Sequence, residues 1–427
     1  ARSCSMARMA REHMPIQIGL PDEPAWEFDE PVPVAYIAFV EGEELPDPGA
    51  AFIAAGESFG VAPQDTEPVP VEDERVAWAF AFGLPSRASR VIVWCERAIE
   101  GASPDGRAQD ARWVVCVQSL LDPDAPVDDA VRLVATAARA GGSRTRLAFD
   151  PTLGVAWSRE ELDELFLSDA AGSLVDERHL YRVELVARDR ERGPYWITTV
   201  GLSRAARPEL ELLEVPVESV RAALELIDAL ASRFIADPLP HAGVPVEAGP
   251  GVRVAFVPAQ EAIETLASDA PGGSADRAGL PAGPRAAICA AGMRGSFRKV
   301  WVPPLEELAR MARAEAGLYL APRVSLVRER VAQRTWDAFV RTHARHASRA
   351  EVVFEAKIAL GESEGEREHV WIAVEQAHEG GGRGMLARPG EAARPRAFER
   401  AMVGDWRITG LGAEMPEVGP ESARLLD

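Results

Sequence analysis

The pattern closest to a known catalytic arrangement is Gly56-Glu57-Ser58-Phe59-Gly60. A G-x-S-x-G can hold a nucleophilic serine on a tight strand-to-helix turn, where the glycines relieve steric strain. That chemistry needs a helix directly after the serine. The following stretch, Val61 to Pro68, is interrupted by Pro63 and cannot supply one. The segment therefore reads as a glycine-punctuated helix end or turn. Histidines number 7, which limits metal and acid–base schemes. His343 and His346 stand at i, i+3 on an expected helix and could face one ion. No His-Glu-x-x-His or Cys-x-x-Cys accompanies them, and Arg341, Arg345 and Arg349 would repel a cation, so a solvated basic helix end is expected. The cluster Gly380-Gly381-Gly382-Arg383-Gly384 lies between two strand-like runs and reads as a hairpin turn, not a phosphate cradle. With no dinucleotide fingerprint either, no cofactor and no metal are expected.

Elements that could position such residues must be drawn from 427 residues carrying 67 acidic and 47 basic side chains, a formal charge of −20. That length suggests two or three domains, and 47% hydrophobic with 27% charged residues is ordinary for globular protein. Nucleic acid is an unexpected partner: the only lysines are Lys299 and Lys357, and the arginines are interleaved with acids. No apolar run approaches the roughly 20 residues of a membrane span, and an acidic surface repels anionic headgroups. The first 13 residues read as an upstream extension, with Met14 as the natural start. Cys4, Cys95, Cys116 and Cys289 lack paired spacing, which fits buried reduced thiols in a cytoplasm.

The periodicity predicts an α+β protein of mixed and antiparallel sheets with flanking helices, in three units: 14–157, 158–322 and 323–427. The first offers strands at Val34 to Val40, Arg75 to Phe82, Arg90 to Cys95 and Arg112 to Leu120, a short helix at Ala51 to Ala55, and a helix closed by Gly141-Gly142. In the second, strands at His179 to Ala187, Tyr195 to Gly201 and Leu210 to Val215 precede an amphipathic helix, Glu218 to Ala236, that ends at Asp237-Pro238. Strands at Val252 to Val257 and Phe297 to Val302 and a helix at Pro304 to Ala316 complete it. Pro238 to Gly251 reads as a linker and Ser268 to Pro284 as a mobile loop. A long helical pattern from Val324 to His346 opens the third unit, whose small β-rich domain holds strands at Glu351 to Leu360, His369 to Gln376, Gly384 to Ala387 and Trp406 to Leu411.

Within that last domain, Phe354-Glu355-Ala356-Lys357 is followed by Glu368-His369-Val370-Trp371, then Gly384-Met385-Leu386, then Asp405-Trp406. This order resembles a bacterial YegJ-like domain of unknown function. The middle resembles the uncharacterised family that carries this domain at its C-terminus, through Thr198 to Leu202, Pro208-Glu209-Leu210-Glu211 and the helix that follows. Neither resemblance implies an activity. The residues themselves allow a cluster: His369 and Trp371 project to one face of a strand. If the strand at Asp405-Trp406 lies close by, His369, Trp371, Asp405 and Trp406 could form a binding surface or a core with a buried His–Asp hydrogen bond. The core is the expected form. Two functions stay open: a non-catalytic binding or adaptor protein, including a partner-neutralising one whose partner is another protein, or a hydrolase joining carboxylates to His369. The missing catalytic motifs favour the first, and no catalytic residue is assigned.

Overall fold

Alternation of apolar residues builds the first sheet. In β1 (Val34–Glu41), Val34, Tyr36, Ala38 and Val40 point one way and are almost wholly buried. β2 (Gln64–Pro68), β3 (Val76–Gly83), β4 (Val91–Arg97), β5 (Ala111–Ser119), β6 (Thr145–Asp150) and β7 (Val155–Ser158) complete an antiparallel sheet in the order β2-β3-β4-β5-β1-β6-β7. The computed structural model describes residues 26, 32–85, 87–99, 104–168, 174–237, 239–278, 280, 283–291, 301–313, 317–360, 368–386, 392–412 and 415–426. Helix α1 (Pro48–Phe59) packs on α2 (Pro126–Ala140), which covers β1, β5 and β6. The G-x-S-x-G closes α1: Ser58 sits in its last turn, its Oγ accepting from Arg139 (2.8 Å), and Gly60 caps the helix at φ +68°.

The second sheet, in the order β11-β12-β13-β10-β9-β8, uses β8 (Arg182–Ala187), β9 (Tyr195–Val200), β10 (Glu209–Val215), β11 (Val246–Gly249), β12 (Val252–Pro258) and β13 (Arg285–Ala290). β10 and β13 run parallel and the other pairs antiparallel. Helix α3 (Val220–Ala236) buries Leu226, Ile227, Leu230 and Phe234 against this sheet, and α4 (Leu305–Ala312) packs on α3. β11 falls where a linker was expected; four residues bounded by Gly249 give too short an alternation to read. The strand expected at Phe297 lies outside the described residues as far as residue 300, and beyond it Val302 accepts one bond from the Ala290 N–H (3.0 Å). The loop from Ser268 holds a 3-10 turn, Ser274–Arg277, that Arg277 ties to Glu211.

The single helical pattern of the third region is two helices, α5 (Pro322–Arg334) and α6 (Trp336–His346), parted at Thr335. There the hydroxyl donates to the Val331 carbonyl (2.7 Å), a bond that bends helices. Both pack on an antiparallel sheet in the order β17-β16-β15-β14-β18-β19, made of β14 (Val353–Leu360), β15 (Glu368–His378), β16 (Gly381–Leu386), β17 (Arg394–Glu399), β18 (Val403–Gly412) and β19 (Met415–Val418). Gly384 lies in a strand interior because a Cβ there would meet the Ala373 carbonyl at 2.1 Å. His343 is not on a solvated helix end: it is buried between Phe339 and Phe354, which lowers its pKa. Among the described residues, no group of three or more His, Cys, Asp and Glu side chains could hold a metal, and no helix is long and apolar enough to cross a membrane.

The fold is α+β, with three mostly antiparallel open sheets. The first two share one apolar core running from Tyr36 and Phe82 to Leu210 and Phe256, while the third has its own around Trp336, Phe339 and Trp406. Arg204 and Asp150 join the first two across a buried 2.6 Å ion pair, with Arg204 also donating to the Leu180 carbonyl (2.6 Å). Asp150 further accepts the N–H groups of Thr152 and Leu153. Removing one partner of such a pair leaves a buried charge uncompensated, so Arg204→Met should lower stability by about 3–5 kcal/mol. Urea denaturation measures this, and a loss under about 1 kcal/mol would show that the pair is not a structural pin.

Candidate binding cleft

Strand alternation decides which candidates meet. In β14, Phe354, Ala356 and Ile358 face the core, so Glu355 and Lys357 face outward. The register sets Lys357 between Trp371 of β15 and Asp405 of β18, and Glu355 between Ala373 and Arg407. Arg407 donates through Nε to Glu355 (2.6 Å) and lays its guanidinium 4.6 Å from the centre of the Trp371 ring, within cation–π range. This face forms one wall of a cleft of about 700 Å³, whose other walls include Asp228 on α3, Arg328 on α5 and Glu421 near the C-terminus.

Most charges around the cleft are held internally. Asp228 accepts from the Tyr181 hydroxyl (2.7 Å), Arg221 pairs with Glu225 (3.1 Å), and Arg178 spans Asp176 and Glu421 (2.7 and 2.8 Å). Asp405 differs. Its Oδ1 accepts the neighbouring Trp406 N–H (2.8 Å), and burial raises its pKa above the ordinary carboxylate value. The Trp406 amide, Arg328 and Lys357 pull it back down, and Glu421 pushes it further up.

Of the four residues singled out from sequence, Trp371, Asp405 and Trp406 line the cleft. Trp406 turns its ring to the opposite face of β18, where it is buried against Phe339 and donates Nε1–H to Thr335 (3.1 Å). His369 lies in β15 opposite Ala359, and its side chain is outside the described residues. Two strand spacings and two residues of register separate its backbone from that of Asp405, about 12 Å in all. The sequence reading missed Arg407. The available signal was the alternation Asp405, Arg407 in one strand, which places both on the outward face.

Comparison with known families finds one described as a protein of unknown function (DUF4026), C-terminal, matching residues 183–289. The matched segment runs from β8 to β13 and contains Thr198 to Leu202, Pro208 to Glu211 and α3. No curated protein and no solved structure matches.

The raised pKa of Asp405 has a signed consequence. The folded state binds its proton more tightly than the unfolded chain, so the ionised carboxylate is destabilising at neutral pH and neutral in effect below the ordinary Asp range. Asp405→Asn, which keeps the acceptor for the Trp406 amide, should therefore raise the melting temperature at pH 7 by about 1–3 °C. The gain should vanish as pH falls through the folded-state pKa. A drop in melting temperature at pH 7 would mean that the carboxylate is held by favourable charge instead.

Proposed function

We propose that this is a non-catalytic binding or adaptor protein, with another protein docking across the cleft at Trp371 and Arg407. The observation that carries this reading is the half-buried indole stacked under a guanidinium that Glu355 already holds in place. Trp and Arg dominate binding energy at protein interfaces, and a pre-ordered arginine loses less freedom on association. The internal pairing of Arg221, Arg178 and Asp228 supports recognition over proton transfer. A partner-neutralising role is one form of this activity. The YegJ-like kinship of the C-terminal region belongs to the same proposal, supported by the adjacency of the strands bearing Lys357, Trp371 and Asp405.

The test is photo-crosslinking in the native host from a benzophenone amino acid at position 371. It should give one discrete conjugate, and Arg407→Ala should reduce its yield about tenfold at unchanged melting temperature. Equal labelling from exposed Ile53, on α1, would sink the docking site.

A reducing cytoplasmic setting completes the proposal, supported by the burial of Cys95, Cys116 and Cys289. Burial pushes the Cys95 thiol up to about 12 and Cys116 higher still. These three thiols should resist an aromatic disulfide reagent at pH 8 until the chain is unfolded. Rapid native-state reaction at any of them would contradict that.

A further inference from the structure

A second built site centres on charged residues of the 183–289 segment, away from the cleft and independent of the docking proposal. Glu211, fully buried in β10, receives two guanidiniums. Arg277 reaches it through Nη1 (3.0 Å) and Nη2 (2.6 Å), and Arg285 through Nη1 (3.0 Å). Arg277 is further fixed by the Gly272 carbonyl (2.9 Å) and by the Trp196 ring, 5.3 Å away. Arg285 is not. Its Nη1 also meets Thr198 Oγ1 (3.3 Å), but Nε and Nη2 have no hydrogen-bond partner among the described residues, on a side chain only 10% exposed.

One carboxylate against two guanidiniums leaves the triad with a single positive charge. Both arginines line a cavity of about 410 Å³ whose other walls include Trp26, Pro258, Ile263 and Leu280. The free Nε and Nη2 edge is the fork that binds an oxyanion through two parallel bonds, and the apolar walls suit an uncharged remainder. From the Arg285 Nε and Nη2 edge, which lines this cavity without a hydrogen-bond partner among the described residues, we infer that the cavity binds a small amphipathic carboxylic acid, with the carboxylate on Arg285 Nε and Nη2. A phosphate monoester shares the oxyanion chemistry but carries close to two charges at pH 7, one more than the triad leaves uncompensated.

The experiment uses the full chain and four probes of one chain length: octanoate, octanol, octylamine and octyl phosphate. Octanoate should raise the melting temperature and bind by calorimetry. Octanol and octylamine should do neither, and octyl phosphate should bind more weakly than octanoate. Arg285→Met removes the fork and leaves Arg277 on Glu211; it should weaken octanoate at least about tenfold. Glu211→Gln removes the competing carboxylate and should tighten octanoate, a change of opposite sign that stands if the first variant does not fold. If neither variant folds, the four-probe series on the native protein decides. Octanol matching octanoate, or an unchanged affinity in Arg285→Met, would overturn the site. Tighter binding of octyl phosphate would overturn the carboxylate assignment. None of these outcomes bears on crosslinking at position 371.

Discussion

Buried charge in the stretch from Leu180 to Leu210 is the constraint on which the first two sheets depend. An arginine taken out of water must have its donors met or the fold loses several kcal/mol. Arg204 meets that demand with Asp150 at the end of β6, the Leu180 carbonyl before β8, and the Gly201 carbonyl after β9. One side chain thus ties the first sheet to the second. Glu209 does the same locally. Its two oxygens take the amides of Gly201 and Ser203 and the hydroxyl of Thr199, and that hydroxyl in turn takes the Leu210 amide. Gly201 is required there because φ is +117° and a Cβ would come within 2.5 Å of the Leu180 carbonyl. The carboxylates of the Pro-Glu-Leu-Glu segment are therefore structural, with Glu211 also holding the two arginines beside the apolar cavity.

The third sheet follows a different logic. Its core is aromatic: Trp336, Phe339, Phe398 and Trp406 pack as neighbours with centroids 4.5 to 5.8 Å apart. That leaves the opposite face of the same strands free to carry Glu355, Lys357, Trp371, Asp405 and Arg407. The ladder registers align these in rows across β15, β14 and β18. The proposed docking surface is thus the polar side of a sheet whose apolar side stabilises it, and a one-residue slip of β18 would exchange Trp406 with its neighbours.

Period-two runs from Val34 to Val40 and Glu351 to Leu360 determined their strands directly, because each has one buried and one wetter face. The amphipathic stripe from Val220 to Phe234 and its Asp237-Pro238 stop determined α3 in the same way. Local chemistry also settled the G-x-S-x-G, since proline after the serine excludes the helix that the catalytic turn needs. The short edge strand β11 and the break at Thr335 were not legible. Four residues carry too little period, and a hydroxyl bonding back along its own helix leaves the apolar pattern unbroken. Which residues share a site was decided by tertiary structure alone. Asp405 and Trp406 are adjacent in sequence and lie on opposite faces of β18, whereas Trp371 and Arg407 are far apart in sequence and stack. Arg277 and Arg285 meet on Glu211 only because β10 and β13 pair in parallel, a long-range pairing that no local pattern encodes.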